Sequence, residues 1–320
     1  WFAFFVYAAI SIGLLIYVIR SADWTQLDLD VQWGVVAITV VLSLGAYLVL
    51  PTLRWQWILR AMGYRHGFSS LLFARMGSQP LKFAIPLRGG EAFRAVYLNK
   101  RHGVPNTHGL GSVLFDLSLV AASQLSLLCI GLVFYPDAVV SLWLPLLILL
   151  LLCVGVSSNT LQQGFLRLIG RLSKGLQEKA EGLAHPFLTV SMSAKWSLYL
   201  FSVVVEAVEI GVMALCFWSF GIDVSLVTIC TVMPVVVFIS LLPVTIGGFG
   251  TRELAMVTLF ASFAHSATLT SIAFLFSTIE VIVPALLGCL LLPSFLAHLN
   301  ADTAEEKQTS EESTVSATPS

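Results

Sequence analysis

The chain has 320 residues, of which 57% are hydrophobic and 11% are charged, and its formal net charge is −1. A soluble domain carries about 25% charged residues, so this composition excludes an ordinary soluble protein, and the net charge gives no indication of nucleic-acid binding. Because a helical span needs about 20 apolar residues, the length allows about eight spans with their loops. We therefore predict an all-α integral membrane protein with about eight transmembrane helices, broken or re-entrant segments and a possible internal repeat.

The patterns of cysteine, histidine and catalytic residues give no indication of a cofactor. The six histidines are scattered without a His-x-x-x-His pair, so no metal site is predicted. Neither a nucleotide-binding loop nor a Ser/His/Asp arrangement can be identified, so enzymatic activity is left open and a non-enzymatic function is favoured. All five cysteines lie in apolar runs, which predicts buried free thiols: Cys129, Cys153, Cys216, Cys230 and Cys289.

The first part of the chain predicts two spans joined by an outward-facing loop. Residues 1–19 and 33–50 are apolar over the length of a span, and the loop between them is more acidic than basic. The basic and aromatic residues that follow the second span predict the cytoplasmic interface: Arg54, Trp55, Trp57, Arg60 and Arg65.

The next apolar segment, residues 68–86, is interrupted and is followed by a second basic region, residues 88–101. Two consecutive basic regions are not expected on the two sides of a simple span. We therefore predict a re-entrant hairpin that enters and leaves the membrane on the cytoplasmic side. The interrupting residues are Arg75, Gly77, Pro80 and Lys82.

The second part of the chain predicts four further spans, at residues 110–134, 139–156, 196–220 and 224–242. Between them, residues 161–183 carry apolar side chains at helical spacing among arginines and lysines, which predicts a helix on the inner membrane surface. Residues 253–264 and 269–292 are each left as a candidate span.

The domain organisation predicted from these segments is simple. One polytopic domain covers residues 1–298 and contains a cytoplasmic amphipathic segment at residues 161–190. Residues 299–320 are rich in serine, threonine and glutamate and are predicted to form a disordered acidic tail.

Two broken segments occupy corresponding places in the two halves of the chain, and each places paired glycines before a helix start. Interrupted segments of this kind point to the substrate site in transporters built from repeats. Free N–H groups at a helix start attract anions, and arginines add forked donors suited to phosphate. The pattern predicts a phosphate-headgroup site formed by Arg88, Gly89, Gly90, Glu91, Arg94, Gly247, Gly248, Thr251, Arg252 and Glu253. The alternative is that the arginines only fix orientation and the glycines only allow close packing.

Charged residues inside the apolar segments form a second set of candidates. An acidic residue costs about 2.5–3.5 kcal/mol at the bilayer centre on insertion scales, so each should face a partner or a wet cavity. Two interpretations remain open: proton coupling or recognition of a cationic headgroup, and interhelical ion pairing that fixes the packing. The residues concerned are Lys82, Asp116, Glu206, Glu209 and Glu280.

Three stretches together resemble one family. They are Arg54-Trp55, the stretch from Pro86 through Arg88-Gly-Gly-Glu91 to Arg94, and the stretch Leu-Leu-Pro-Val-Thr-Ile-Gly-Gly-Phe-Gly-Thr-Arg-Glu that ends at Glu253. The family is the lysylphosphatidylglycerol synthase transmembrane-region (flippase-like) family, and the resemblance covers about residues 33–292.

This resemblance implies a polytopic bacterial or archaeal membrane protein that translocates a lipid or a lipid-linked headgroup. It does not extend to the aminoacyl-transferring domain fused to some members, so lipid lysinylation is not implied. Members usually carry a Glu-Arg pair shortly before the position of Asp116, where this chain has Ser112 and Val113.

The sequence therefore predicts a multi-pass protein of the bacterial inner (plasma) membrane that moves a phospholipid or a polyprenyl-phosphate-linked lipid between leaflets. Its expected partners are membrane lipids with an anionic or phosphate headgroup, with a homodimer or a soluble biosynthetic partner also possible. The alternatives are a membrane-embedded enzyme or accessory subunit of glycolipid or aminoacyl-lipid modification, and a structural partner without a substrate.

Overall fold

The computed structural model of the chain describes residues 2–26, 31–84, 89–134, 143–241 and 244–315. Within these ranges the regular structure is entirely helical and no strand occurs, which confirms the predicted all-α fold. Predictions for Arg88 and for the loop after residue 134 fall outside the described residues.

Fifteen α-helices make up the described part of the chain. Two π-helical turns, Gly45–Val49 and Thr278–Ile282, each connect two consecutive helices without a break. In chain order the helices are α1 (Phe2–Ser21), α2 (Trp33–Leu44), α3 (Leu50–Ala61), α4 (Phe68–Ser78), α5 (Leu81–Ala84), α6 (Ala92–His102), α7 (Asn106–Phe134), α8 (Trp143–Ser157), α9 (Asn159–Leu172), α10 (Lys174–Thr189), α11 (Met192–Ser219), α12 (Leu226–Leu241), α13 (Thr251–Leu259), α14 (Ser266–Ser277) and α15 (Val283–Val315).

Four continuous helical stretches among the described residues are long and apolar enough to cross a bilayer, judged by length and composition. The pair α8–α9 is bent by 72° and would count as a fifth span if it crosses as one unit. The apolar helices Val6–Ser21 and Leu226–Ser240 are shorter. The four long stretches are Trp33–Ala61, Asn106–Phe134, Met192–Ser219 and Ser266–Leu299.

Large apolar side chains cover much of the outer surface. Leu290 is 78% exposed and Val41 is 69% exposed, for example. Apolar surface on this scale is not stable in water and is expected to face lipid. Together with the long apolar helices, it establishes a multi-pass membrane protein.

The cysteines correct one prediction. All five are free thiols, but only Cys129 and Cys216 are buried, while Cys153 and Cys230 are half-buried. Cys289 is exposed beside Leu290 on the outer face of α15. An apolar run in a membrane helix includes the residues that face lipid, so the predicted burial of all five thiols was wrong.

The second span is longer than predicted. It does not end at residue 50, because the π turn Gly45–Val49 carries the helix directly into α3. Pro51 follows the π turn directly, and local π adjustments of this kind allow a transmembrane helix to contain proline. Arg54 and Trp55, predicted at the membrane interface, are therefore buried inside the bundle, and Trp55 Nε1 donates to Ser112 Oγ at 3.0 Å.

The amphipathic segment is also divided differently. The predicted single helix over residues 161–183 is two helices, α9 and α10, separated at Ser173. Leu161, Leu168 and Leu176 are each at least half exposed, as expected for an apolar face that lies on a membrane. The position of this segment on the cytoplasmic side stays a prediction.

The last helix packs against the first broken segment. Phe295 of α15 is fully buried and stacks on Tyr97 of α6, with ring centroids 5.6 Å apart. A Cβ atom at Gly77 of α4 would lie 2.6 Å from the Phe295 ring, so a larger residue would displace the helix. Because α15 extends to Val315, it includes much of the predicted tail, and the division at residue 299 stays a prediction.

Candidate functional site

The first broken segment folds back on itself as a hairpin. Ser70, near the start of α4, lies 2.8 Å from His102, at the end of α6 (Oγ to Nε2), so the two arms run antiparallel. At the closed end, Gly90 packs against the backbone of Leu81 and Lys82, and a Cβ atom there would lie 2.6 Å from the Leu81 carbonyl carbon. Both open ends lie on the same side, as a re-entrant hairpin requires.

The second broken segment is a glycine-rich turn followed by a very short helix. Gly247, Gly248 and Gly250 have φ values of +62°, +83° and +88°, which favour glycine. The following helix α13 has 9 residues, about 13 Å at 1.5 Å per residue, against about 30 Å for the hydrocarbon core. Residues 253–264 are therefore not a full span, whereas α14 and α15 continue as one long helix.

The two broken segments are neighbours in the folded protein. Helix α5 of the first packs against the 3-10 turn Ile246–Gly248 of the second. Helix α1 supports this junction, because the Ile246 N–H donates to Ser11 Oγ at 2.8 Å. The two segments that resemble each other in sequence are therefore also in contact in the fold.

A three-residue ion cluster lies at the closed end of the hairpin. Glu91 Oε1 lies 3.0 Å from Lys82 Nζ, and Glu91 Oε2 lies 2.7 Å from Arg94 Nη2. Arg94 is 2% exposed, and its guanidinium carbon lies 5.5 Å from the centroid of the Trp55 ring. A cation over an aromatic face is attracted to the ring, so Trp55 helps to hold Arg94 in place.

A second cluster joins α3, α7 and α11 in the interior. Arg54 Nε donates to Asp116 Oδ1 at 2.6 Å, and Arg54 Nη1 lies 2.7 Å from Ser202 Oγ and 3.1 Å from Glu206 Oε1. Gln124 Nε2 donates to Glu206 Oε2 at 2.7 Å. This central ion network favours interhelical pairing as the role of Asp116 and Glu206.

Sequence reasoning missed Arg54 as a member of this network. The residue was interpreted as an orientation signal because it follows an apolar run. Two acidic residues inside apolar spans each need a compensating group, and Arg54 lies only four residues after the predicted second span. The need of these two acidic residues for a cationic partner was the signal by which Arg54 could have been found.

A third cluster forms at the second broken segment. Arg252 Nη1 lies 2.8 Å from Glu280 Oε2, and the Glu280 side chain is 27% exposed on the π turn Thr278–Ile282. Glu253 is fully buried, and its carboxylate accepts from the Gly250 N–H at 2.5 Å and from the Ser277 hydroxyl. Thr251 Oγ1 donates to the Gly248 carbonyl at 3.0 Å.

Glu209 differs from the other acidic residues. It lies one helical turn from Glu206 on α11 and is half-buried. Among the described residues no cation forms an ion pair with it within 4.0 Å. Apart from Arg88, which is not described, the predicted residues thus divide between the three clusters, the glycine turns and Glu209. Their roles in substrate binding and coupling stay predictions.

Two histidines pack together at the open end of the hairpin and should make stability pH-dependent. The rings of His66 and His102 have centroids 4.3 Å apart, and burial lowers the pKa of both. Between that lowered pKa and about 6.5, the unfolded chain binds more protons than the folded one, so stability falls as pH falls through this window.

We expect the midpoint of thermal unfolding in detergent to fall by about 2 °C more between pH 7.5 and 5.5 than it does in a His66→Gln/His102→Gln variant. His265→Gln, away from this pair, is the matched control. An identical pH profile for the double variant and the native chain would contradict the expectation.

Together, the fold and the three ion clusters define a class: multi-pass α-helical membrane proteins with two adjoining broken helices and buried ion pairs. The chain matches the family described as "Lysylphosphatidylglycerol synthase TM region" over residues 2–288 and belongs to that family. It is also similar to a UPF0104 membrane protein of Methanocaldococcus jannaschii. The two are 24% identical over 267 residues, which cover 75% of this chain and 79% of that protein. The family resemblance found in the sequence is confirmed.

Proposed function

We propose that this protein is a lipid transporter that moves a phospholipid or a polyprenyl-phosphate-linked lipid from one leaflet to the other. The observation that carries the proposal is the contact between the two broken segments, each of which brings a buried arginine, Arg94 or Arg252. Non-helical backbone at membrane depth is tolerated only beside protein or a wet cavity. A shared polar junction of this kind is suited to a headgroup that crosses an apolar layer.

The ion pairs suggest how a headgroup is accepted. Arg252 is paired with Glu280, and Arg94 is paired with Glu91. An incoming phosphate offers the same acceptor geometry as a carboxylate, so it exchanges with the glutamate on the arginine fork. Each arginine then keeps a partner in both the empty and the loaded state.

Glu209 is the residue we assign to coupling. A carboxyl group without a cation partner inside an apolar bundle is suited to gain and lose a proton. Its neighbour Glu206 is held by Arg54 and Gln124 and is less free to change state. We place the protein in the bacterial inner membrane with membrane lipids as its partners. A homodimer and a soluble biosynthetic partner remain predictions.

The proposal predicts that Arg252→Ala lowers lipid transport by about 10- to 100-fold, since charge-assisted hydrogen bonds to the headgroup are lost. The assay is leaflet exchange of fluorescent phosphatidylglycerol, phosphatidylethanolamine and polyprenyl-phosphate analogues in proteoliposomes. Glu280 is partly exposed, so its loss of a partner should leave the fold intact, which size-exclusion chromatography and thermal unfolding check.

The matched control is Arg167→Ala, which removes an exposed arginine from α9. Its transport should equal that of the native chain. Undiminished transport by a folded Arg252→Ala variant would refute the role given to Arg252.

A further inference from the structure

Arg75 of α4 is a half-buried cation, which in the sequence counts only as an interruption of the apolar run. Its Nε and Nη1 atoms are inaccessible to solvent and have no hydrogen-bond acceptor among the described residues. Buried polar atoms are nearly always hydrogen-bonded, and exceptions call for an explanation. For a guanidinium, which stays charged, an unmet requirement for acceptors is especially unfavourable.

Arg94 has the same unmet requirement on the opposite arm of the hairpin. Its Nη2 atom pairs with Glu91, but its Nε and Nη1 atoms have no acceptor among the described residues. Helices α4 and α6 pack against each other, with the rings of Phe73 and Tyr97 5.7 Å apart between centroids, and Arg75 and Arg94 each lie within one helical turn of this contact. The arms of one hairpin thus bring together two like charges and four unpaired donor atoms.

The acidic groups near this pair are already engaged. Glu91 binds Lys82 and Arg94, and Asp116 binds Arg54. Two adjacent guanidiniums repel each other unless an anion lies between them. The four donor atoms therefore suit an anion with several acceptor oxygens.

We propose that Arg75 and Arg94 form a binding site for a phosphate group between the two arms of the re-entrant hairpin. Phosphate supplies several oxygens around one centre and is bound by the forked donors of arginine. Trp55, which lies against Arg94, fixes one side of the site. That the phosphate belongs to a lipid headgroup rests on the proposed function, whereas the site itself does not.

The deciding experiment measures binding to the full chain in a non-ionic detergent by isothermal titration calorimetry. The two probes are inorganic phosphate and dihexanoyl phosphatidylglycerol. Arg75→Gln is expected to weaken binding by about tenfold or more, since it removes charge-assisted hydrogen bonds. Arg101→Gln makes the same change at an exposed position of α6 and should bind like the native chain.

A second measurement separates binding from folding. Arg75→Gln removes a half-buried cation whose Nε and Nη1 atoms have no acceptor among the described residues, so the ligand-free variant should unfold at the same temperature as the native chain or at a higher one. Arg94→Gln also breaks the pair with Glu91 and is less informative. A structural role for Arg75 predicts a lower unfolding temperature without ligand, and that result would overturn the site.

The remaining outcomes distinguish the ligand source and the two proposals. Binding of both probes, or of the lipid probe alone, with dependence on Arg75 supports the site, and their relative affinity identifies free phosphate or a headgroup as the ligand. Unchanged binding in Arg75→Gln overturns it, even if transport still depends on Arg252. If the native chain transports no lipid but binds phosphate through Arg75, the transport proposal fails and the site stands.

Discussion

Replacing Arg54 with leucine is expected to lower the free energy of unfolding by about 3–5 kcal/mol, because removal of one partner leaves buried charges uncompensated. Arg54 is 2% exposed and contacts two carboxylates, Asp116 at 2.6 Å and Glu206 at 3.1 Å. Without Arg54, the two carboxylates in an apolar interior must each take up a proton, or the helices that carry them must move apart. Reversible unfolding in mixed micelles measures the effect.

The matched control removes the charges together. In Arg54→Leu/Asp116→Asn/Glu206→Gln, no ion remains without a partner, and replacing a whole buried ion network with neutral groups is often close to neutral for stability. We therefore expect the triple variant to recover most of the loss. A single variant as stable as the native chain, or a triple variant less stable than the single one, would contradict a stabilising network.

The hairpin could be predicted from charge alone, because the basic residues on each side of it indicate that both of its ends lie on the same side of the membrane. Basic residues on both sides of residues 68–86 do not fit a simple span, and the antiparallel contact between Ser70 and His102 agrees with that inference. The glycine at its closed end is likewise a local signal, since Gly90 lies too close to Leu81 for any side chain.

The partners of the buried charges could not be predicted in the same way. The high cost of a charge in hydrocarbon requires that Asp116 be paired, but it does not say with what. Its partner, Arg54, is 62 positions earlier and is brought inside only because the π turn Gly45–Val49 continues the helix past Pro51. No simple sequence pattern marks a π turn, so the interface assigned near residue 50 was wrong.

The second π turn has a comparable effect at the second broken segment. Thr278–Ile282 presents Glu280 to Arg252. The ring of Tyr47, on the first π turn, lies edge-on to the ring of Phe276, just before the second π turn, with 6.4 Å between the ring centroids. π turns inside helices occur frequently at functional sites. The two turns thus lie in the same region as the proposed headgroup junction, and a straight helix at either place would aim these side chains differently.

Glu253→Ala is expected to destabilise the second broken segment by about 2–4 kcal/mol, because charge-assisted hydrogen bonds contribute about 1.5–3 kcal/mol each and are not fully additive. The carboxylate is fully buried and holds the Gly250 N–H and the Ser277 hydroxyl. It also lies in the first turn of α13, where a negative charge complements the helix dipole. Thermal unfolding in detergent, with transport measured in parallel, checks the prediction.

Two further variants separate the structural role of Glu253 from a role in substrate binding. Ser277→Ala removes one hydrogen-bond partner and should cost about 1 kcal/mol, with little effect on transport. Glu253→Gln retains one acceptor oxygen and loses the charge, so an intermediate stability is expected. If Glu253→Gln folds with near-native stability but loses transport, the charge itself acts on the substrate or on its counter-ion. If stability and transport fall together across all three variants, Glu253 serves to hold the glycine turn in the shape that presents Arg252.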